Sequence, residues 1–296
     1  MNTQRKNSLL LLLCAFIWGT AFVAQSAGSG MGACSFLAGR SWLAVLVLLP
    51  TVKVFDLVRQ RSTGTTGAPK TPEERRCLRR ASLVCGTLLF VASAAQQFGL
   101  TLNPSTAKAG FLTAMYVVLV PIFGLALGRR GSHQLWLSVA IAVCGLYLLC
   151  IGEDFSIAPG DGLLILCALC FSGHILVVDH FSRLTDCVKM SCLQFATAAV
   201  LCMGVAVFTE PIDAGTIVQC AVPLLYAGVL SGAVGYTLQI VAQKDTDPTV
   251  ASLLMSLESV FAVLAGWVLL GDMLTAREAL GCVLMMGGIV LAQLKG

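Results

Sequence analysis

The sequence predicts an all-α membrane protein of ten transmembrane helices, built as an inverted-topology 5+5 repeat. Three observations lead there: a composition too apolar for water, ten apolar stretches near membrane-crossing length, and a partial echo of the first half in the second. Of the 296 residues, 57% are hydrophobic and 11% charged, whereas a soluble domain carries about 25% charged residues. Mean hydropathy is +0.87. No soluble core can hide that much apolar surface, so the lipid bilayer is the solvent. The net charge of +4 is no signal for nucleic acid. The 13 cysteines lie mostly inside apolar runs, where they behave as small hydrophobes, and no disulfide framework is expected. Cys167 and Cys170 have CxxC spacing without a second pair nearby, and His133, His174 and His180 match no ligand spacing. No metal or other cofactor is expected.

Taken in order, residues 1–7 are polar and carry Arg5 and Lys6. Residues 8–25 are apolar, and Ala24-Gln25-Ser26 would pass as a signal cleavage site. A retained first helix is preferred, because the charge pattern downstream requires it. A glycine-rich turn, 28–32, leads to a second span at about 33–52, with Arg40 inside it. Residues 53–80 hold Gly64-Thr65-Thr66-Gly67, two prolines and eight basic residues, and read as a flexible cytoplasmic loop. A third span, about 81–102, ends at the Asn103-Pro104 turn. The fourth, about 106–127, carries Lys108 early and Pro121 late, where the proline ring is expected to kink it. Gly128-Arg129-Arg130-Gly131 closes it, and a fifth span covers about 134–151. An acidic turn with Glu153, Asp154 and Asp161 separates the halves. Further spans follow at about 162–178, 190–208, 216–241, 249–270 and 276–294. A helix of about 20 residues, rising ~1.5 Å per residue, crosses a hydrocarbon core of about 30 Å.

Lysine and arginine set the orientation. With the N-terminus inside, the cytoplasmic segments hold Arg5, Lys6, the eight basic residues of 53–80, Arg129, Arg130, Arg183, Lys189, Lys244 and Lys295. Arg40 and Lys108 fall within spans and Arg277 on the far side. Glu153, Asp154, Asp161, Glu210 and Asp213 fall on the opposite side. Both termini are therefore expected to be cytoplasmic. The halves, 1–152 and 153–296, echo each other. Asn103-Pro104-Ser105 aligns with Asp247-Pro248-Thr249, Gly128 and Gly145 with Gly271 and Gly288, and Leu13-Cys14-Ala15 with Leu166-Cys167-Ala168. Five spans per half is odd, so two such repeats enter the membrane in opposite senses, and a site is expected near the midplane between them.

The repeated Asn-Pro or Asp-Pro turn, Trp18-Gly19-Thr20-Ala21-Phe22 in the first span, and SLESVFAVLAGWVLLGD at 256–272 resemble EamA-type proteins of the drug/metabolite transporter superfamily. The run QQFGLTLNPSTAKAGFLTAMYVVLVPIFGLALGRR at 96–130 is similar to a bacterial group of that family. The resemblance covers essentially the whole chain. It implies a ten-helix inverted repeat in the bacterial plasma membrane, a central cavity reached by alternating access, and activities such as export of amino acids or other metabolites. One departure is Ser259, where many relatives carry proline after the matching glutamate; no proline-driven break is expected beside Glu258.

Glu258 is the only ionisable residue between 249 and 271. A carboxylate at mid-membrane costs roughly 2.5–3.5 kcal/mol on the insertion scale. Either it faces a central cavity as a proton-coupling group, or it is a hydrogen-bonded packing carboxyl. Trp18 offers an aromatic wall, or packs against lipid or a neighbouring helix. Arg40 attracts an anionic group, snorkels, or pairs structurally. Lys108 is read as snorkelling to the outer interface, and Asp179 and His180 as interfacial. Gln96 and Gln97 project about 100° apart, so one of them faces the cavity, and Gln97 is taken as that one. Tyr116 lies on nearly the same helical face as Lys108. Tyr236, Gln239 and Gln243 form one polar stripe, and His174 sits mid-span. Interhelical hydrogen bonding is the alternative for all of these. Gly228 and Gly232 have GxxxG spacing, which serves packing or a homodimer face.

These residues point to secondary transport of a small polar or amphipathic metabolite. No GxxxxGK[ST] loop is present, so energy comes from a proton gradient or from exchange. An uncoupled facilitator, a non-transporting binding protein and an intramembrane enzyme are the competing classes. No motif supports the chemistry of the last.

Overall fold

The computed structural model describes residues 3–27, 30–64, 69, 71–102, 106–151, 158–211, 213–270 and 275–294. Among them no strand forms. In order the helices are α1 (Thr3–Ala27), α2 (Ala33–Thr63), α3 (Pro72–Thr101), α4 (Thr106–Ala114), α5 (Tyr116–Ala126), α6 (His133–Cys150), α7 (Asp161–Ser182), α8 (Cys187–Thr209), α9 (Ala214–Gln219), α10 (Ala221–Leu225), a π-helical segment (Tyr226–Gly235), α11 (Tyr236–Gln243), α12 (Pro248–Met255), α13 (Glu258–Ala265), a second π-helical segment (Gly266–Leu270) and α14 (Ala276–Gln293).

Among the described residues, nine helical stretches are long and apolar enough to cross a membrane. Three of them join adjacent segments: Lys108–Ala126, Ala221–Gln243 and Pro248–Val268. The 25-residue α1 precedes them and packs on the first π-helical segment, α11, α12 and α13. The outside is apolar: Phe208 is 89% exposed, Val222 77% and Val268 71%. Such a surface is stable against hydrocarbon and not against water.

The segment 53–80 differs from the expected loop. α2 runs on to Thr63, and α3 starts at Pro72 behind a capping box, in which Glu74 N donates to Thr71 Oγ1 (3.1 Å) and Thr71 N to the Glu74 carboxylate. Proline at the first helical position and two glutamates in the first turn favour a start there. Ion pairs Arg59–Asp186 (3.0 Å) and Lys189–Asp56 (2.8 Å) then tie the end of α2 to the start of α8. At the same end of the bundle Arg129 reaches Asp179, which Arg183 also holds (3.0 Å). Asp179, in the last turn of α7, is thus buried and doubly paired. At the other end Lys108 is buried rather than snorkelling and meets Asp161 Oδ2 at 2.5 Å. There too Glu210 accepts the Cys34 and Ser35 amides (2.8 Å each), filling the open N-terminus of α2 from another helix.

Two helices are interrupted in mid-membrane. The fourth span breaks at Met115, where Met115 N bonds Leu112 O (3.3 Å) in a tight turn. Pro121 instead lies within α5, so the expected proline kink is not the interruption. The ninth breaks at Ser256–Leu257 without a proline. The Ser256 hydroxyl donates to Leu253 O (2.8 Å), the carbonyl that the Leu257 amide would use in a regular helix, and that amide turns to Leu254 O (3.3 Å). A serine competing for its own backbone acceptors replaces the missing ring. Residues Asn103, Pro104, Ser105, Glu153, Asp154, Gly271, Asp272 and Lys295, which carried part of the turn and repeat expectations, lie outside the described residues.

The main helix pairings are α6 with α14, α2 with α8, α3 with α7 and α8, α1 with α13, and the first π-helical segment with α1 and α2. α6 and α14 meet through backbone. A Cβ on Gly145 would lie 2.7 Å from Gly281 O, and one on Gly281 2.7 Å from Gly145 O. The Gly228/Gly232 pair is occupied within the chain: a Cβ on Gly228 would lie 2.6 Å from Leu43 Cβ, and one on Gly232 3.2 Å from Ala44 Cβ. Two main apolar clusters form. One contains Tyr116, Val117, Leu146, Leu254 and Met285, the other Leu48, Leu89, Phe195 and Tyr236. Trp18 and Phe171 pack against both, and the polar residues collect at that seam.

Candidate functional site

A cavity of about 50 Å³ opens at the seam, lined by Trp18, Arg40, Gln96, Thr113, Tyr116, Phe171, His174, Ile175, Ser231, Tyr236, Gln239, Met255 and Glu258. Seven of the eight residues singled out in the sequence converge here: Trp18, Arg40, Tyr116, His174, Tyr236, Gln239 and Glu258. The eighth does not. Gln96 lines the cavity, and Gln97 is buried elsewhere with Oε1 unpartnered. One buried water occupies about 10–15 Å³ by this measure, so the cavity in this conformation holds a handful of waters.

The two helix breaks meet at its wall. Tyr116 is the first residue of α5 and Glu258 the first of α13, and Tyr116 Oη donates to Glu258 Oε1 at 3.0 Å. A carboxylate in the first turn of a helix also faces the positive end of its dipole. Together these offset part of the cost of a charge that is 7% exposed. The aromatic side is built around Tyr236, whose ring centre lies 4.7 Å from Trp18, 5.3 Å from Phe195 and 6.0 Å from His174. Trp18 Nε1 donates to Ser231 O (3.2 Å) and the Cys14 thiol to Gly235 O (3.3 Å). Both acceptors sit in the π-helical segment, a geometry that recurs at functional sites.

Arg40 is 6% exposed. Its Nη2 donates to Ser93 Oγ (3.0 Å), its Nε has no partner, and it makes no ion pair among the described residues. His174 Nε2 meets Gln194 Oε1 (3.1 Å), leaving Nδ1 unpartnered. Gln239 Nε2 donates to Gln243 Oε1 (3.1 Å), Gln243 Nε2 to Ile175 O (2.8 Å), and Gln239 Oε1 is left over. Gln243, third member of the polar stripe, therefore braces the wall from behind. Buried polar atoms without partners are rare in finished cores, and three of them border one cavity.

Three of the lining residues that the sequence did not single out sit at a fixed spacing from ones it did. Phe171 lies three residues before His174 on the same face of α7, and Thr113 and Met255 lie three residues before Tyr116 and Glu258, across the breaks of the fourth and ninth spans. Gln96 is the other member of the adjacent glutamine pair, and the turn of about 100° between neighbouring positions is what separates its placement from that of Gln97.

The profile of the EamA-like transporter family matches this chain twice, over residues 5–151 and 158–294. The chain belongs to the EamA-like transporter family. This EamA chain is thus a membrane transporter of the drug/metabolite transporter superfamily, integral to a membrane. It is 29% identical over 290 residues to an uncharacterized transporter of Archaeoglobus fulgidus, covering 96% of this chain and 85% of that one. A solved crystal structure superposes with a TM-score of 0.79 at 17% identity, over 98% of this chain and 97% of the other. At that identity the likeness concerns the fold alone, and it is the fold that the EamA cavity described above sits in.

Proposed function

We propose that this EamA protein is a secondary transporter that exports a small polar or amphipathic metabolite, an amino acid or a compound of similar size, by alternating access. The observation that carries this is the mid-membrane cavity where both helix breaks, a buried arginine and a buried glutamate converge. Its small volume supports a contracted conformation, since a metabolite of ten heavy atoms enters only if the seam opens.

The ten-helix inverted repeat is part of the same proposal. The double family match supports it, and so does the packing. Counting α1 as the first span, exchange of the halves turns the pairing of α3 with α7 into that of the first π-helical segment with α1. It turns α3 with α8 into that segment with α2, and α1 with α13 into α7 with α4 and α5. α6 with α14 and α2 with α8 map onto themselves. A two-fold related pair of repeats gives such exchange, and folds of this kind place their site at the repeat interface. Both termini on the cytoplasmic side of a bacterial plasma membrane follow from the charge sorting.

Glu258 is the proposed proton-coupling group, because it is the one acidic side chain in the cavity lining and Tyr116 holds it in place. The test is uptake of metabolites from a cell extract into proteoliposomes under an imposed pH gradient. Wild-type protein accumulates a compound with the gradient and Glu258→Gln loses the gradient dependence. Equal gradient-driven uptake by the variant removes Glu258 from that role, and exchange without any gradient dependence in wild type favours an uncoupled facilitator.

A further inference from the structure

At the end of the bundle that carries the Arg129–Asp179 pair, a second crevice of about 30 Å³ opens between the end of α5, the first turn of α6 and the start of α12. It shares no lining residue with the mid-membrane cavity. Its rim holds Arg129, Arg130, Trp136, Asp247, Pro248 and Thr249. Two glycines shape it. Gly128, at φ +80°, takes the left-handed conformation that ends α5, and Arg129 N then donates back to Gly124 O (2.9 Å), which turns the next residues over the helix end. Gly131 leaves the indole uncovered, since a Cβ there would lie 3.1 Å from Trp136 Nε1. The two arginines differ. Arg129 is engaged by Asp179, whereas Arg130 makes no ion pair and Trp136 Nε1 has no acceptor among the described residues. Among those residues the one carboxylate on the rim, Asp247, accepts the Thr249 and Val250 amides (2.8 and 3.4 Å) and is committed to the first turn of α12. The rim thus presents an unpaired guanidinium and an indole N–H with no opposing negative group, the complement of an anion. The crevice has room for about two waters, enough for the oxygens of one phosphate and too little for a whole metabolite. Beside the lining residues Gly124 and Trp136, Leu125 and Leu137 are 48% and 54% exposed, and in a membrane such side chains face acyl chains. Arginine and tryptophan at headgroup depth next to exposed leucines match the build of a phospholipid.

We propose that this crevice seats the phosphate of an anionic phospholipid, with its oxygens on Arg130 and Trp136 Nε1 and its acyl chains over Leu125 and Leu137. Because Pro248 and Thr249 of α12 form the far wall, the lipid bridges the two halves of the chain at one end of the bundle. The seat discriminates by net charge. A headgroup with its own cation places that cation beside Arg130, and a headgroup without one does not. Nothing in this assignment depends on what the mid-membrane cavity carries.

The test titrates full-length protein in a nonionic detergent with dioleoyl phosphatidylglycerol or dioleoyl phosphatidylcholine and counts retained lipid by native mass spectrometry. Wild-type protein is expected to hold one phosphatidylglycerol about 10-fold more tightly than phosphatidylcholine, the lower end of the scale for a charge-assisted contact. Arg130→Gln brings the two lipids within about threefold of each other. Trp136→Phe keeps an aromatic ring, drops the N–H, and weakens phosphatidylglycerol by about two- to tenfold, the scale of one neutral hydrogen bond. A double variant, Arg79→Gln with Arg80→Gln, removes two exposed arginines from α3 and keeps the preference. The lipid comparison on wild-type protein needs no variant to fold. Equal retention of the two lipids by wild type, an unchanged preference in Arg130→Gln, or an equal loss in the α3 double variant overturns the proposal. Displacement of the lipid by millimolar inorganic phosphate overturns it too, and assigns the crevice to a free anion. Lipid retention is read without flux, so its failure leaves the transport reading standing.

Discussion

Gly19→Ala adds one methyl group where α1 crosses α13, and the geometry makes its effect specific. The new Cβ would stand 2.5 Å from Glu258 O, 2.6 Å from Phe261 Cβ and 2.9 Å from Ala262 N. Two of those three atoms are backbone, so no rotamer change relieves the contact. Carbon–oxygen contacts in proteins begin at about 3.3 Å, so the helices must part by roughly 0.8 Å beside the cavity glutamate. Overpacking of this kind costs about 1–3 kcal/mol, offset by the ~0.5–1 kcal/mol that alanine gains over glycine in a helix. The net loss is about 0–2.5 kcal/mol, a fall of up to roughly 5 °C in Tm for a chain of this length. Transport falls further, because an atom misplaced by ~1 Å at an active site costs up to about 10²-fold. The assay pairs thermal unfolding in detergent with metabolite flux in proteoliposomes. Gly110→Ala is the control, since a Cβ there meets nothing within 4 Å, and it keeps both properties. Wild-type melting and flux in Gly19→Ala, or an equal loss in Gly110→Ala, would refute the close-approach argument.

Adjacent glycines on α14 are expected to respond with opposite signs: Gly288→Ala meets Ser138 O at 2.8 Å and lowers Tm by a few degrees, whereas Gly287→Ala faces open space and leaves it unchanged or higher. Equal shifts would contradict the α6–α14 contact. Asp179→Asn leaves Arg129 and Arg183 without their shared carboxylate. Because both arginines are about half exposed, the expected loss is about 1–3 kcal/mol rather than the larger cost of a fully buried orphan, read as a drop in Tm that a charge-preserving Asp179→Glu lessens. Ser256→Ala frees Leu253 O and lets the ninth span close into a continuous helix. Melting then stays within about 1 kcal/mol of wild type on general grounds while flux declines, and a variant with full flux would show that the break is dispensable.

Much of the fold was legible because a membrane restricts it: apolar length, polar turns and lysine–arginine placement carry most of the information. Segment 53–80 misled because its charges were read as loop, although Thr71, Pro72 and Glu74 spell a helix start. Pro121 lies inside α5, and the interruption of the fourth span falls six residues earlier, at Met115, where no residue type announces it. Seven of the cavity residues stood out because an ionisable or amide group, or the indole of Trp18, is conspicuous in an apolar span. Thr113, Ile175 and Met255 did not, since their types are ordinary in a helix core and only the i±3 relation to marked neighbours, or adjacency to His174, betrays them. The fates of Lys108 and Asp179 depended on carboxylate and guanidinium partners about 50 residues away in sequence, which no local pattern encodes.

The most direct measurement is a metabolite profile of cytosol and medium from cells carrying wild-type protein, Glu258→Gln, or no copy of the gene, with membrane levels of the two proteins matched. If a small metabolite leaves through this cavity, one compound builds up in the cytosol and is depleted from the medium in both the null and the Glu258→Gln cells. Indistinguishable profiles across all three, or full restoration by Glu258→Gln, would contradict it.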